Sequence, residues 1–222
     1  MGDSRLPQKP KSRFRRTVFI SVLAAVVLLI GGLLLWKYGL EDRFVPRRFG
    51  IVKQGHMYRS GQISSSLIKD VLVRYKIRTI VSLSADSVSN TDKAAEKQIA
   101  AELGIERKVF SLGGDGTGDI NNYAKAIAAI YYAKKERKPV LIHCYAGVHR
   151  TGGVIAAYQL LVEKKDASSV VKEMMRYGWD PKDDVVLLSY LNINMKELAT
   201  LLLQMGVIDS VPSPLPQMPV SS

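Results

Sequence analysis

The run KPVLIHCYAGVHRTG, residues 138–152, holds three elements in fifteen residues. Residues 138–142 are short, apolar and β-branched enough for a buried strand. A loop runs from Cys144 to Arg150, and a helix begins around Thr151 and continues through the apolar residues 152–163. A strand that empties into a loop at a helix N-terminus presents unpaired N–H groups and the positive end of the helix dipole to an anion. Gly147 lets the backbone turn inward, so that the amides of Tyr145, Ala146, Gly147, Val148, His149 and Arg150 converge on one point. Arg150 adds a planar fork suited to gripping two oxygens at once, which lysine could not copy.

Cys144 is the single cysteine of the 222 residues, which excludes an internal disulfide and a Cys-rich zinc site. A free cysteine is commonly a small buried hydrophobe. Here the loop amides, the helix dipole and Arg150 all favour its charged, nucleophilic form. Thr151 is placed to donate its hydroxyl to the sulfur, and His143 to orient the loop by hydrogen bonding rather than to act as a base. Tyr145 is a wall of the pocket or plain packing. His149 is a rim residue, or a cation beside the site that responds to pH.

Working outward, strand and helix alternate. A helix is expected over 64–75, a strand over 77–84, a helix over 92–103 stopped by Gly104, and a strand over 105–112. A glycine-rich loop, residues 113–118, then leads to Asp119 as N-cap of a helix over 120–136. Two more helices are expected over 167–177 and 184–205. This alternation implies an α/β sandwich around a largely parallel sheet flanked by helices.

Upstream, TVFISVLAAVVLLIGGLLLW (residues 17–36) is apolar and uncharged. A helix of about 20 residues spans the ~30 Å hydrocarbon core of a bilayer. No small-residue cleavage site follows it, so an uncleaved signal anchor is expected rather than a removed signal peptide. The expected organisation is a basic segment 1–16, a transmembrane anchor 17–36, a juxtamembrane linker 37–53, a catalytic domain 54–209 and a disordered Pro/Ser tail 210–222. Arg5, Lys9, Lys11, Arg13, Arg15 and Arg16 precede the anchor, opposed only by Asp3. That excess predicts a cytoplasmic N-terminus and a domain beyond the membrane, periplasmic in a bacterium, with the cytoplasmic face as the alternative.

The formal net charge is +12, of which residues 1–43 supply +5 from eight Lys/Arg against three Asp/Glu. A basic balance favours anionic partners, whether phosphate esters, acidic headgroups or nucleic acid. No basic stripe interleaved with aromatics is present, which argues against nucleic acid.

The motif HC-x5-R-T-G resembles that of the protein tyrosine and dual-specificity phosphatases. The upstream Tyr58-Arg59-Ser60-Gly61-Gln62 is similar to an element of their compact atypical dual-specificity branch. The resemblance covers about residues 54–205. It implies a compact dual-specificity-phosphatase-like fold and a cofactor-free, metal-free two-step reaction, with in-line attack by Cys144 followed by hydrolysis of the phosphocysteine. It also implies a general acid on the loop about thirty residues before the cysteine, where Asp115 and Asp119 both lie. Asp115, among four glycines, suits the role; Asp119 is better explained as a helix cap.

The expected substrates are phosphorylated proteins, on tyrosine or on serine and threonine, or small phosphoesters. An inositol phosphate or lipid headgroup is the alternative, weakened because the loop has Val148 and His149 where relatives often carry Lys or Gly, and lacks the extra lysine typical of inositide-directed loops. A phospho-binding pseudophosphatase is disfavoured because Cys144 and Arg150 are both kept. A rhodanese-like or arsenate-reducing thiol enzyme is disfavoured because no second cysteine can resolve a disulfide.

Overall fold

A computed structural model describes residues 11–36, 41–87 and 89–219. The expected basic segment up to residue 10, the start of the expected linker at 37–40 and the last three residues of the tail lie outside them. The chain divides into two units between Asp42 and Arg43.

The first unit contains α1 (Lys11–Leu35). From Arg16 to Trp36 its side chains are exposed, Gly31 alone being half-buried. The stretch Arg16–Leu35 is long and apolar enough to cross a membrane.

The division falls within the short helix α2 (Glu41–Phe44), and the second unit runs β1 (Gly50–Lys53), β2 (Met57–Ser60), α3 (Ile68–Arg74), β3 (Thr79–Ser82), α4 (Thr91–Glu102), β4 (Glu106–Val109), α5 (Ile120–Lys135), β5 (Val140–His143), α6 (His149–Leu161), α7 (Ala167–Arg176) and α8 (Val185–Gln204). The strands form one sheet in the order β1-β2-β5-β3-β4, parallel except for the β1–β2 pair.

Both faces of that sheet are covered, which is why every residue of the central strands β2, β3 and β5 is buried. Successive side chains alternate between the faces. Met57, Val81, Val140 and Ile142 enter the larger core with α5, α6 and α8. Tyr58, Ile80 and Leu141 enter the smaller core with α3 and α4. α8 is also long and apolar enough to cross a membrane, but Leu187, Leu191, Leu198 and Leu202 bury one of its faces in the larger core.

The domain starts earlier than the sequence suggests. β1 lies inside the stretch expected to be a linker, and β2 carries the Tyr58-Arg59-Ser60 element. Four-residue strands are too short to show a period, and a buried arginine breaks the apolar run of β2. The expected tail also differs. Up to Pro219 it lacks helix and strand, but Asn192 exchanges two hydrogen bonds with the backbone of Met218, at 2.9 and 2.8 Å. Met218 is buried in the larger core, so this apolar anchor holds a segment whose prolines alone suggested disorder.

β5 is central, with β2 and β3 on either side and parallel to it. Ligands of such sheets bind beyond the C-terminal ends of the strands. Four segments meet there: residues 61–62 after β2, Leu83 and Ser84 after β3, the 113–118 loop beyond β4, and Cys144 after β5.

Candidate active site

Cys144 follows the last residue of β5 and is 1% exposed. The Gly147 N–H donates to its sulfur at 3.1 Å. α6 begins at His149, two residues before the expected start, so His149 and Arg150 belong to its first turn. The residue preceding that turn, Val148, makes no side-chain cap bond. The first N–H groups of the helix are therefore left for an anion. Arg150 Nη1 donates to Ser84 Oγ at 2.9 Å, which tethers the guanidinium beside the loop and leaves its Nε without a partner.

What curls the loop is a set of bonds on its outer side. The Tyr145 carbonyl accepts from the Gln62 N–H at 3.0 Å, the Ala146 carbonyl from Arg48 at 3.0 Å, and the Gly147 carbonyl from Arg59 at 2.8 Å. The Gly61 N–H in turn donates to the Arg47 carbonyl at 2.7 Å. Gly147 itself has φ +76°, and a Cβ there would sit 2.6 Å from Gly61 N and 2.8 Å from the Ser60 carbonyl. Only glycine fits.

His143, the last residue of β5, is buried beside Glu96. Its Nε2 lies 3.0 Å from Glu96 Oε2, both side chains being buried. Glu96 also accepts from Arg107 Nε at 2.8 Å and from the Gln62 amide at 3.3 Å. Burial pushes the Glu96 carboxyl up, but His143 and Arg107 outweigh it and bring it down to about 2 from an ordinary 4.5. A carboxyl depressed on folding contributes stability above its unfolded value and loses it as pH falls through the folded value. The fold should therefore lose on the order of 3 kcal/mol between pH 4.5 and 2 through this group. Urea titrations of wild type and Glu96→Gln across that window check it; identical slopes of stability against pH would refute it.

Thr151 Oγ1 is buried and makes no hydrogen bond, so the expected donation to the sulfur is not formed and the Gly147 amide has that place. His149 Nε2 pairs with Asp184 Oδ1 at 2.7 Å, joining the loop's rim to the residue before α8. Tyr145 is 56% exposed at the mouth, with the Arg47 guanidinium 5.6 Å from its ring centroid.

The two candidate acids separate. Asp119 caps α5 as expected, its carboxylate accepting from the Asn121 N–H at 2.9 Å, and the charged neighbour that affects it is Lys125. Asp115 accepts from the backbone and hydroxyl of Thr117, at 3.0 and 2.8 Å, which holds its carboxyl below the usual range; His149 adds to the effect. The Asp115 loop leans on α6: a Cβ on Gly116 would lie 3.2 Å from His149. The Gly116 carbonyl accepts from the buried Tyr123 hydroxyl. Burial first, then the charges of Tyr190, Asp115 and Cys144, pushes the Tyr123 phenol well above its usual range. The Asp115 loop is thus tied to the first turn of α6 and to Tyr123, whereas Asp119 is engaged at the start of α5.

Sequence reasoning missed Arg48, Ser84 and Glu96 as parts of the site. Arg59 and Gln62 were visible only as letters of the Tyr58–Gln62 element.

A model of the tyrosine phosphatase family matches residues 44–200. The dual specificity protein phosphatase TpbA of Pseudomonas aeruginosa is 38% identical over 53 residues, 24% of each chain, so the match spans about a quarter of that relative's length. The crystal structure of P. aeruginosa TpbA superposes with a TM-score of 0.56 at 24% identity, over 72% of this chain and 91% of that one. The core catalytic domain of the PP-IP phosphatase SIW14 from S. cerevisiae superposes with a TM-score of 0.57 at 20% identity, over 77% and 97%. At these identities the two superpositions speak for the fold.

Proposed function

Because the chain belongs to the tyrosine phosphatase family, we propose that it is a membrane-anchored phosphatase that hydrolyses phosphomonoesters on proteins through a phosphocysteine on Cys144. The observation that carries this is the buried sulfur at the end of β5, accepting the Gly147 amide at the start of α6 with Arg150 in the first turn.

In the first step the Cys144 sulfur attacks phosphorus in line. The bond to the leaving oxygen breaks, and that oxygen takes a proton from Asp115. The inward amides and Arg150, released from Ser84, hold the three equatorial oxygens, where charge is spread in the transition state. In the second step water attacks the phosphocysteine phosphorus and gives up a proton to the Asp115 carboxylate; the P–S bond breaks, its electron pair returns to sulfur as the Cys144 thiolate, and inorganic phosphate leaves.

For Asp115 to act, it must let go of Thr117 and hold a proton. Phosphotyrosine and phosphoserine or phosphothreonine are favoured over inositol phosphates because Val148 gives the loop no additional cation. Full-length protein in detergent should hydrolyse p-nitrophenyl phosphate in the presence of a chelator and be inhibited by vanadate. Asp115→Asn should slow alkyl phosphate turnover by about 10²-fold and nitrophenyl phosphate far less, because only the alkoxide needs the proton. Equal losses on both substrates, or a larger loss in Asp119→Asn, would move the acid elsewhere.

The anchor in this reading is the apolar stretch of α1 from residue 17 on, and the basic residues between 5 and 16 favour a cytoplasmic N-terminus. Protease added to intact cells should then remove the phosphatase domain. A domain that is cut only after lysis has the opposite orientation.

A further inference from the structure

Arg59 leads the fully buried side chains by volume and is 1% exposed. A buried cation is costly unless it is paired, yet among the described residues no carboxylate lies within ion-pair distance of it. Its Nη2 bonds the Gly147 carbonyl at 2.8 Å, its guanidinium stacks 3.8 Å from the Tyr177 ring centroid, and its Nε has no partner. Tyr177 and Glu173 face it from α7 and its C-terminus, Cys144 from the loop and Arg48 from the segment ahead of β1. Burial lowers it to about 10, where it remains a cation at neutral pH.

The next peptide back shows what such a tie does. With the Ala146 carbonyl drawn outward by Arg48, the N–H of the same peptide, that of Gly147, points inward to the sulfur. A trans peptide is planar and places its N–H opposite its C=O, and the 147–148 bond is trans.

On the premise that residues 144–150 hold a phosphoryl group, we propose that Arg59 is a positioning residue: by drawing the Gly147 carbonyl outward it turns the Val148 N–H onto the bound anion. Arg59 lies on β2, so the core of the domain, not the loop's own sequence, sets this donor.

Vanadate binding to full-length protein in detergent tests it by isothermal titration, with no turnover needed. Arg59→Met should weaken vanadate about tenfold, the worth of one charge-assisted bond to the anion. Arg59→Lys keeps the charge but lacks the fork that rests on Tyr177 while bonding Gly147, and should lose at least threefold. In the 15N-labelled protein the Val148 amide resonance should move with vanadate in wild type and stay still in Arg59→Met, while that of Gly147 moves in both. A side chain that merely fills space would lower the melting temperature and leave these readings unchanged. Folded Arg59→Met that binds vanadate within twofold of wild type overturns the proposal, as does a Val148 resonance that still responds. Should that variant not fold, an unchanged affinity in Arg59→Lys overturns it. Wild type that binds vanadate without hydrolysing p-nitrophenyl phosphate refutes the enzyme and leaves Arg59 its role; wild type that binds none refutes both.

Discussion

Cys144→Ser is expected to abolish turnover, by about 10⁴-fold or more, while inorganic phosphate still binds. The side chain is buried and carries one hydrogen bond, from Gly147, which a serine oxygen can also accept. The fold and the amide-lined loop should therefore survive the exchange. What is lost is the nucleophile, because a serine hydroxyl remains protonated in the same field and neither nearby histidine is free to take its proton: His143 is paired with Glu96 and His149 with Asp184. Initial rates with p-nitrophenyl phosphate and calorimetric titration with phosphate read the two halves separately. Residual turnover above one part in a hundred would remove Cys144 from the reaction.

Gly147→Ala should be nearly as damaging, for a different reason. A left-handed backbone costs a residue with a Cβ about 1–2 kcal/mol, and the new methyl would also press on the Ser60–Gly61 backbone at 2.6–2.8 Å. That backbone ends a strand between β1 and β5 and has nowhere to go. The loop must give instead, lifting the amides off the sulfur, and a loss of about 10³-fold in kcat/KM is expected from misplaced oxyanion donors. Gly55→Ala is the matched control. Its φ is +74°, but nothing lies within 4 Å of the added carbon. It should lower stability by about 1 kcal/mol and leave activity intact. Equal activity in the two variants would mean that the close approach at Gly147 has no catalytic consequence.

The contrast between these glycines marks what could be read from the sequence. Cys144, Gly147 and Arg150 share one strand–loop–helix unit, and so do Asp119 and the helix it caps, so local spacing was enough to place them. The bonds that hold the loop's carbonyls come from Arg48, Gln62 and Arg59, more than eighty residues earlier in the chain. No periodicity links such positions; only the pairing of β2 with β5 does. Glu96 was hidden in another way. It sits in a helix rich in Ala, Glu and Lys, where a solvated carboxylate is the ordinary expectation, and becomes functional only because His143 and Arg107 meet it inside. In the tail, the prolines hid the apolar contacts: Val211 and Leu215 pack against the larger core and Met218 is buried in it.

The tie between Arg47 and Gly61, with that between Arg48 and Ala146, has a bearing on how the protein can be divided. These residues follow the apolar helix closely in sequence, so leash and lock are adjoining stretches of one chain. Changes of length ahead of residue 47 should leave these two bonds intact. A fragment trimmed to residue 54, where the sequence first places the domain, would keep the nucleophile and its arginine while losing β1 and one of the three bolts on the loop. The portable unit of this phosphatase therefore begins at Arg47 and Arg48, and any fusion, truncation or domain exchange should carry them along.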